Sequence, residues 1–198
     1  AHDFNIPIVY VNQVGAQTEI IFDGGSLFID ANGDVVDELA YFEEDFRIID
    51  TENTESKDTL REYEPLEKIH DALILGIKDY FGKMGFKQAT LGLSGGIDSA
   101  VTVVLAARAL GSENVRVLLM PSKYSSEHSI TDARDLAENL GIQYEIVYIH
   151  EMVDAFDHAL SPIFEGLNPD VTEENIQARI RGTLMMALSN KFGHILLN

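Results

Sequence analysis

The sequence predicts an α/β protein, a doubly wound parallel sheet preceded by a shorter β-rich segment. Three observations predict it. From residue 65 onward, short apolar runs alternate with helical patterns, as in parallel strands joined by crossover helices. Before residue 50, similar short runs are separated only by turn residues. Residues 51–64 are polar, charged and aperiodic, which marks a linker. The expected division is therefore 1–50, a linker over 51–64, and a second domain over 65–198.

In the first segment, residues 6–11 read as a strand. Residues 26–30 and 35–39 flank Asn32-Gly33, a hairpin signal because both turn residues tolerate positive φ. In the second, Ile69, Leu73, Ile77, Tyr80 and Phe81 recur at helical spacing, predicting a helix over 66–81. A strand follows at 89–93, then a helix over 100–110 that stops at Gly111. A second strand at 115–120 is closed by Pro121. The next helix spans 130–140, with Ser129 as its N-cap and Gly141 as its stop. A third strand lies at 144–149, helices at 152–160 and 172–192, and a fourth strand begins at 195–197. A compact domain rarely stops on a strand, so the expectation is a domain that is only partly present.

The 198 residues suffice for one large domain, or one domain with part of another. No apolar run approaches the roughly 20 residues that cross a bilayer, and no signal-peptide pattern opens the chain. Zero cysteines exclude disulfides, thiolate metal sites and a cysteine nucleophile in this chain, and are compatible with a cytoplasmic location. A net charge of −19 argues against nucleic-acid and anionic-membrane partners. Any anionic ligand must then be met by local cations, for which Arg116, Lys123, Arg179 and Arg181 are the candidates.

The most informative stretch is Leu91-Gly92-Leu93-Ser94-Gly95-Gly96-Ile97-Asp98-Ser99. An apolar strand ends in two glycines and a helix begins at once, so backbone N–H groups can gather around a phosphate at a helix N-terminus. Ser94 and Ser99 add hydroxyls, and Asp98 offers a carboxylate to a phosphate-bound Mg²⁺. A Walker A loop is ruled out, since no Gly-Lys-Ser/Thr follows. A glycine turn that binds nothing is the plainer alternative, and the two serines and the aspartate in register weigh against it.

Residues 121–126 follow the second strand and so share a sheet edge with the glycine turn. The backbone at Leu119 and Met120 is placed to meet an adenine edge, though serines that merely cap the next helix would fit as well. In Glu173-Glu174-Asn175-Ile176-Gln177-Ala178-Arg179-Ile180-Arg181-Gly182, Asn175 and Arg179 share a helix face and Arg181 is rotated away. Neither Asn175–Arg179 nor Glu174–Ala178 is an ion pair, and cations in an early turn oppose the helix dipole, so a phosphate partner explains these arginines better than self-pairing. The six histidines show no ligand spacing, and Met185-Met186 reads as core.

The glycine loop resembles the Ser-Gly-Gly-x-Asp-Ser loop of N-type ATP pyrophosphatases, which have the adenine nucleotide alpha hydrolase-like fold. With the 121–126 loop and Asn175-x-x-x-Arg179-x-Arg181, the stretch 65–198 resembles the synthetase domain of NAD⁺ synthetases, of the large glutamine-dependent type. Tyr10-Val11-Asn12-Gln13-Val14-Gly15 and Phe22-Asp23-Gly24-Gly25-Ser26 look like the last part of a nitrilase-type glutaminase domain. The resemblance implies ATP-dependent amidation of deamido-NAD⁺ through an acyl-adenylate, with ammonia from glutamine. It implies that Gly92, Ser94, Gly95, Gly96, Asp98, Ser99, Met120 and Arg181 meet ATP and its pyrophosphate. Asp98 would ligate Mg²⁺, and Asn175 and Arg179 would face deamido-NAD⁺. No residue here is expected to act as a catalytic acid or base. A homo-oligomer is implied, since such domains pair with a second copy.

Nitrilase-type glutaminases use a Glu-Lys-Cys triad, and this chain has no cysteine. The expectation is that it holds part of each site, releases no ammonia from glutamine, and has little synthetase activity by itself. Other amidating or thiolating ATP pyrophosphatases (GMP synthetase, asparagine synthetase, tRNA-thiolating enzymes) are the nearest alternatives. The acidic balance disfavours tRNA, and the nitrilase-like segment disfavours the other two. A catalytically incomplete binding module is the remaining alternative, disfavoured by the intact Ser94, Gly95, Gly96 and Asp98.

Overall fold

The computed structural model describes residues 1–52 and 63–198, so most of the expected linker lies outside the described residues. The chain divides into two compact units, Ala1–Met84 and Gly85–Asn198.

The first unit contains β1 (Ile8–Tyr10), β2 (Val14–Gln17), β3 (Ile20–Asp23), β4 (Leu27–Ile29), β5 (Val35–Glu38) and α1 (Pro65–Met84). β1, β4 and β5 form an antiparallel sheet in the order β1-β4-β5, and β2 and β3 form a separate hairpin. Asn32-Gly33 does mark the β4–β5 turn, but only Gly33 takes a positive φ, of 99°. The turn is held by the Asp30 carboxylate, which accepts the Asn32 and Asp34 N–H groups at 2.9 Å each. These bonds, that of Asp34 above all, hold the Asp30 carboxyl below its ordinary range. The β2–β3 hairpin has no such signal: its turn places Thr18, a β-branched residue, at φ 55°.

α1 follows the boundary expected at residue 65. Its contacts count it with the first unit, because it packs on β2 and β3. Asp79 accepts the Ala16 N–H at 2.7 Å, and bare Gly76 leaves room for the Ile21 side chain.

The second unit runs β6 (Ala89–Gly92), α2 (Ile97–Leu110), β7 (Val115–Leu119), α3 (Glu127–Leu140), β8 (Gln143–Ile146), α4 (His150–Leu160), α5 (Val171–Phe192) and β9 (Ile195–Leu196). All four strands are parallel, in the order β8-β7-β6-β9. Leu91, Leu93, Val117 and Leu119 point to one face, against Val103 and Ala106 of α2 and Ala133 and Ala137 of α3. On the other face, Gly92 lies against Met185 of α5. The sheet is therefore doubly wound, and strand order reverses between β6 and β9, where ligands bind at the carboxyl edge of such sheets.

Three local expectations are corrected. α2 begins at Ile97 rather than residue 100. α3 is capped by Ser126, not Ser129: the Ser126 hydroxyl accepts the Ser129 N–H at 3.1 Å. Met185 is buried as core but Met186 is 48% exposed, because neighbours on a helix point about 100° apart.

Candidate functional site

The loop after β6 is built by one glycine. Gly95 has φ +81°, and a Cβ there would run into the Ser129 carbonyl of α3, so only glycine fits. Gly96 then stands extended as the N-cap of α2, with no side chain to satisfy the first turn. Of the other helices that start at this sheet edge, α3 has its serine cap and α5 a complete capping box from Asp170 and Glu173, whereas α4, like α2, has no side-chain cap.

The serine hydroxyls do not point outward as free donors. Ser94 N–H donates to Ser99 Oγ at 3.2 Å, and Gly96 N–H donates to Ser94 Oγ at 3.2 Å. Ser99 Oγ donates to Gly96 C=O at 3.0 Å, and the two hydroxyls lie 3.0 Å apart. Ser94 and Ser99, expected as phosphate donors, are thus engaged inside the loop, a difference from the sequence expectation that follows from their i,i+5 spacing around a tight turn. The N–H groups of Gly95, Ile97 and Asp98 have no acceptor among the described residues. Free N–H groups at a helix N-terminus, with the α2 dipole behind them, favour an anion.

Beside the loop lies a cavity of ≈ 390 Å³, the size of a small-molecule site, bounded by Gly92, Ser94, Met120, Ser129 and Arg181 among others. Arg181 is half-buried and donates from Nε to Met120 C=O at 3.1 Å. Burial pulls its pKa down from the ordinary value, and it has no acidic partner among the described residues. A desolvated, unpaired guanidinium favours an anion beside it. Of the backbone expected to meet an adenine edge, the Leu119 C=O is taken by Val147 N–H at 2.9 Å and the Met120 C=O by Arg181. The Met120 N–H keeps no partner among the described residues.

A second, wider recess of ≈ 770 Å³ shares Ser125 and Arg181 with the first and adds Lys123, Tyr124, Phe164 and Gln177. Gln177, only 8% exposed, was missed by sequence reading, as was Ser129 as a wall of the first cavity. The parallel order carried a signal for Ser129, since it puts the α3 N-terminus at the same edge as the glycine loop.

The remaining expected residues fall elsewhere. Asn175 and Arg179 are exposed and line neither recess. Both they and Arg181 lie beyond the first turn of α5, so the dipole objection to them does not hold. Arg116 is not a site cation: it pairs with Glu145 at 2.7 Å and stacks on Phe192 at 4.3 Å. Gly95, Gly96, Asp98 and Ser99 stand at the head of α2, and Asp98 is exposed there. No cluster of three His, Cys, Asp or Glu able to hold a metal occurs among the described residues. A lone carboxylate beside free amides fits Mg²⁺, which is held largely by substrate phosphates and water and needs only one or two protein carboxylates. Among the described residues no helix is long and apolar enough to cross a membrane.

A family model described as NAD synthase matches residues 69–198. The glutamine-dependent NAD(+) synthetase of Synechocystis sp. is 44% identical over the whole chain, which spans 36% of that relative. That of Thermotoga maritima is 41% identical, again over the whole chain and 40% of the relative. Among solved structures, the glutamine-dependent NAD+ synthetase of Acinetobacter baumannii in complex with ADP superposes with a TM-score of 0.93. It is 40% identical and covers 98% of this chain, which corresponds to 38% of that one. The chain therefore spans about two fifths of the relatives it matches.

Proposed function

Because the chain belongs to the NAD synthase family, we propose that it contributes the ATP-gripping part of an enzyme that amidates deamido-NAD⁺ to NAD⁺, with ammonia derived from glutamine. The observation that carries this reading is the glycine loop at the head of α2, beside the strand-order reversal, whose Ser94 lines one cavity with Arg181, a cation without an acidic partner among the described residues.

The reaction requires two displacements. The nicotinate carboxylate attacks the α-phosphorus of ATP, the bond to the bridging oxygen breaks, and pyrophosphate leaves. Ammonia then attacks the acyl carbon, AMP departs, and the amide nitrogen gives up a proton. Both steps call mainly for positioning and charge stabilisation. The Gly95, Ile97 and Asp98 N–H groups would hold the departing pyrophosphate, with Ser94, Gly96 and Ser99 shaping the loop around it. The Met120 N–H would meet the adenine, with Gly92 giving it close approach. Arg181 would stabilise charge at the transferring phosphoryl group. Asp98 would hold Mg²⁺, which when bound neutralises phosphate charge. This local arrangement answers the net charge of −19, which by itself would repel ATP.

Asn175 and Arg179 would meet the dinucleotide from the exposed side of α5. A homo-oligomer in which a second copy approaches that side is part of the same proposal. The family membership and the identities of 41–44% with glutamine-dependent NAD(+) synthetases support deamido-NAD⁺ over XMP or aspartate as acceptor.

The test is a chimera in which these 198 residues replace the matching segment of the Acinetobacter baumannii enzyme. Isotope exchange between pyrophosphate and ATP should then require deamido-NAD⁺. Exchange that requires XMP or aspartate instead would overturn the assignment.

A further inference from the structure

We propose that Ser126 is a positioning residue for the phosphate loop, acting through α3. The proposal rests on the reading of the α2 head as an anion site. Ser126 is exposed and lines neither recess, so it is not placed to touch a ligand bound there. Its hydroxyl accepts the Ser129 N–H at 3.1 Å and pairs with the Ser129 hydroxyl at 2.8 Å. Those two bonds fix the first turn of α3. The carbonyl of the same Ser129 is the group packed against Gly95, closely enough that no Cβ fits between them.

The chain of contact is short and has few other members. Ser126 holds Ser129, Ser129 blocks Gly95 from relaxing, and Gly95 at φ +81° aims the N–H groups at the head of α2. The loop's own hydroxyl bonds tie Ser94 to Gly96 and Ser99, but none of them reaches Gly95. Without the α3 cap, the first turn frays and the wall behind Gly95 moves. The loop after β7 and the loop after β6 are thereby coupled through one exposed serine.

The experiment compares Ser126→Ala and Ser126→Asn in this chain, by backbone amide NMR without ligand and by Mg·ATP titration. Asn caps helices as well as Ser, whereas Ala does not. Ser126→Ala should displace the Gly95 and Gly96 amide resonances, leave those of β6–β8 in place, and weaken Mg·ATP binding roughly fivefold, the factor expected from a lost cap. Ser126→Asn should restore both. The reciprocal variant Gly95→Ala should displace the Ser126 and Ser129 amides, and decides the matter if Ser126→Ala does not fold. Unmoved Gly95 and Gly96 resonances in Ser126→Ala, or no rescue by Asn, would overturn the coupling. If not even the parent chain binds Mg·ATP, the ligand-free resonances decide the coupling, and the nucleotide reading is decided by the exchange assay on the chimera.

Discussion

The Ser94 and Ser99 hydroxyl oxygens lie 3.0 Å apart, and Ser99 Oγ also donates to the Gly96 carbonyl. With its one proton on Gly96, Ser99 can only accept from Ser94, so the Ser94 hydroxyl proton is also committed within the loop. The loop therefore holds its shape with its own hydroxyls and leaves backbone N–H groups for an anion.

Replacing Ser99 by alanine removes the acceptor for the Ser94 N–H and the donor to Gly96. The network is exposed, so thermal stability should fall by no more than about 1 kcal/mol. Mg·ATP affinity, measured by calorimetry, should fall about tenfold, since one lost hydrogen-bonding group in a site is worth roughly 1–2 kcal/mol. An unchanged affinity would mean that the loop's shape does not depend on Ser99.

Gly95→Ala combines a left-handed φ with a collision at the Ser129 carbonyl. It should destabilise the second unit by roughly 1–3 kcal/mol in denaturant titration and remove detectable Mg·ATP binding. A variant of parental stability that still binds would contradict the close packing of loop on α3.

Arg181 supplies both the charge in the cavity and an Nε bond to Met120 C=O. Arg181→Lys keeps the charge but has no group equivalent to the Nε–H fork. Arg181→Ala should weaken Mg·ATP binding by about 10- to 100-fold, and Arg181→Lys should recover only part of that. Full recovery by lysine would assign the effect to charge alone.

The His194 pKa is lowered from the ordinary 6.5 by burial, and secondarily by the nearby Arg116. Its Nδ1 is buried with no hydrogen-bond partner among the described residues. The sign follows from proton uptake: below 6.5 the unfolded chain gains a proton that the folded chain resists, so stability falls with pH. The loss begins as pH drops through 6.5 and ends once the folded pKa is passed. Urea midpoints measured from pH 7.5 downward should decline for the parent and stay flatter for His194→Asn.

Much of the second unit was legible because its strands and helices differ in period and are punctuated by Gly111, Pro121 and Gly141. Helix starts were less so. Ile97-Asp98-Ser99 follow two glycines and read as loop, yet they are the first turn of α2; Ser126 and Ser129 are equally good cap residues by type, and only the fold chooses between them. The β2–β3 hairpin was illegible because its turn puts Thr18, not glycine or asparagine, at positive φ. Within the site, the glycine loop and Arg181 were readable as motif and as charge without a local partner. The fate of Arg116 was not, since Glu145 lies 29 residues away and meets it only across neighbouring strands.

The central claim is that the backbone amides at the head of α2 receive the phosphates of ATP. It is tested most directly by titrating the ¹⁵N-labelled chain with Mg·ATP and separately with Mg·pyrophosphate. Both ligands should displace the Gly95, Ile97 and Asp98 amide resonances saturably, with Met120 displaced by Mg·ATP alone. Resonances at 95–98 that stay in place at saturating nucleotide, or move no more than those of β8, would contradict it.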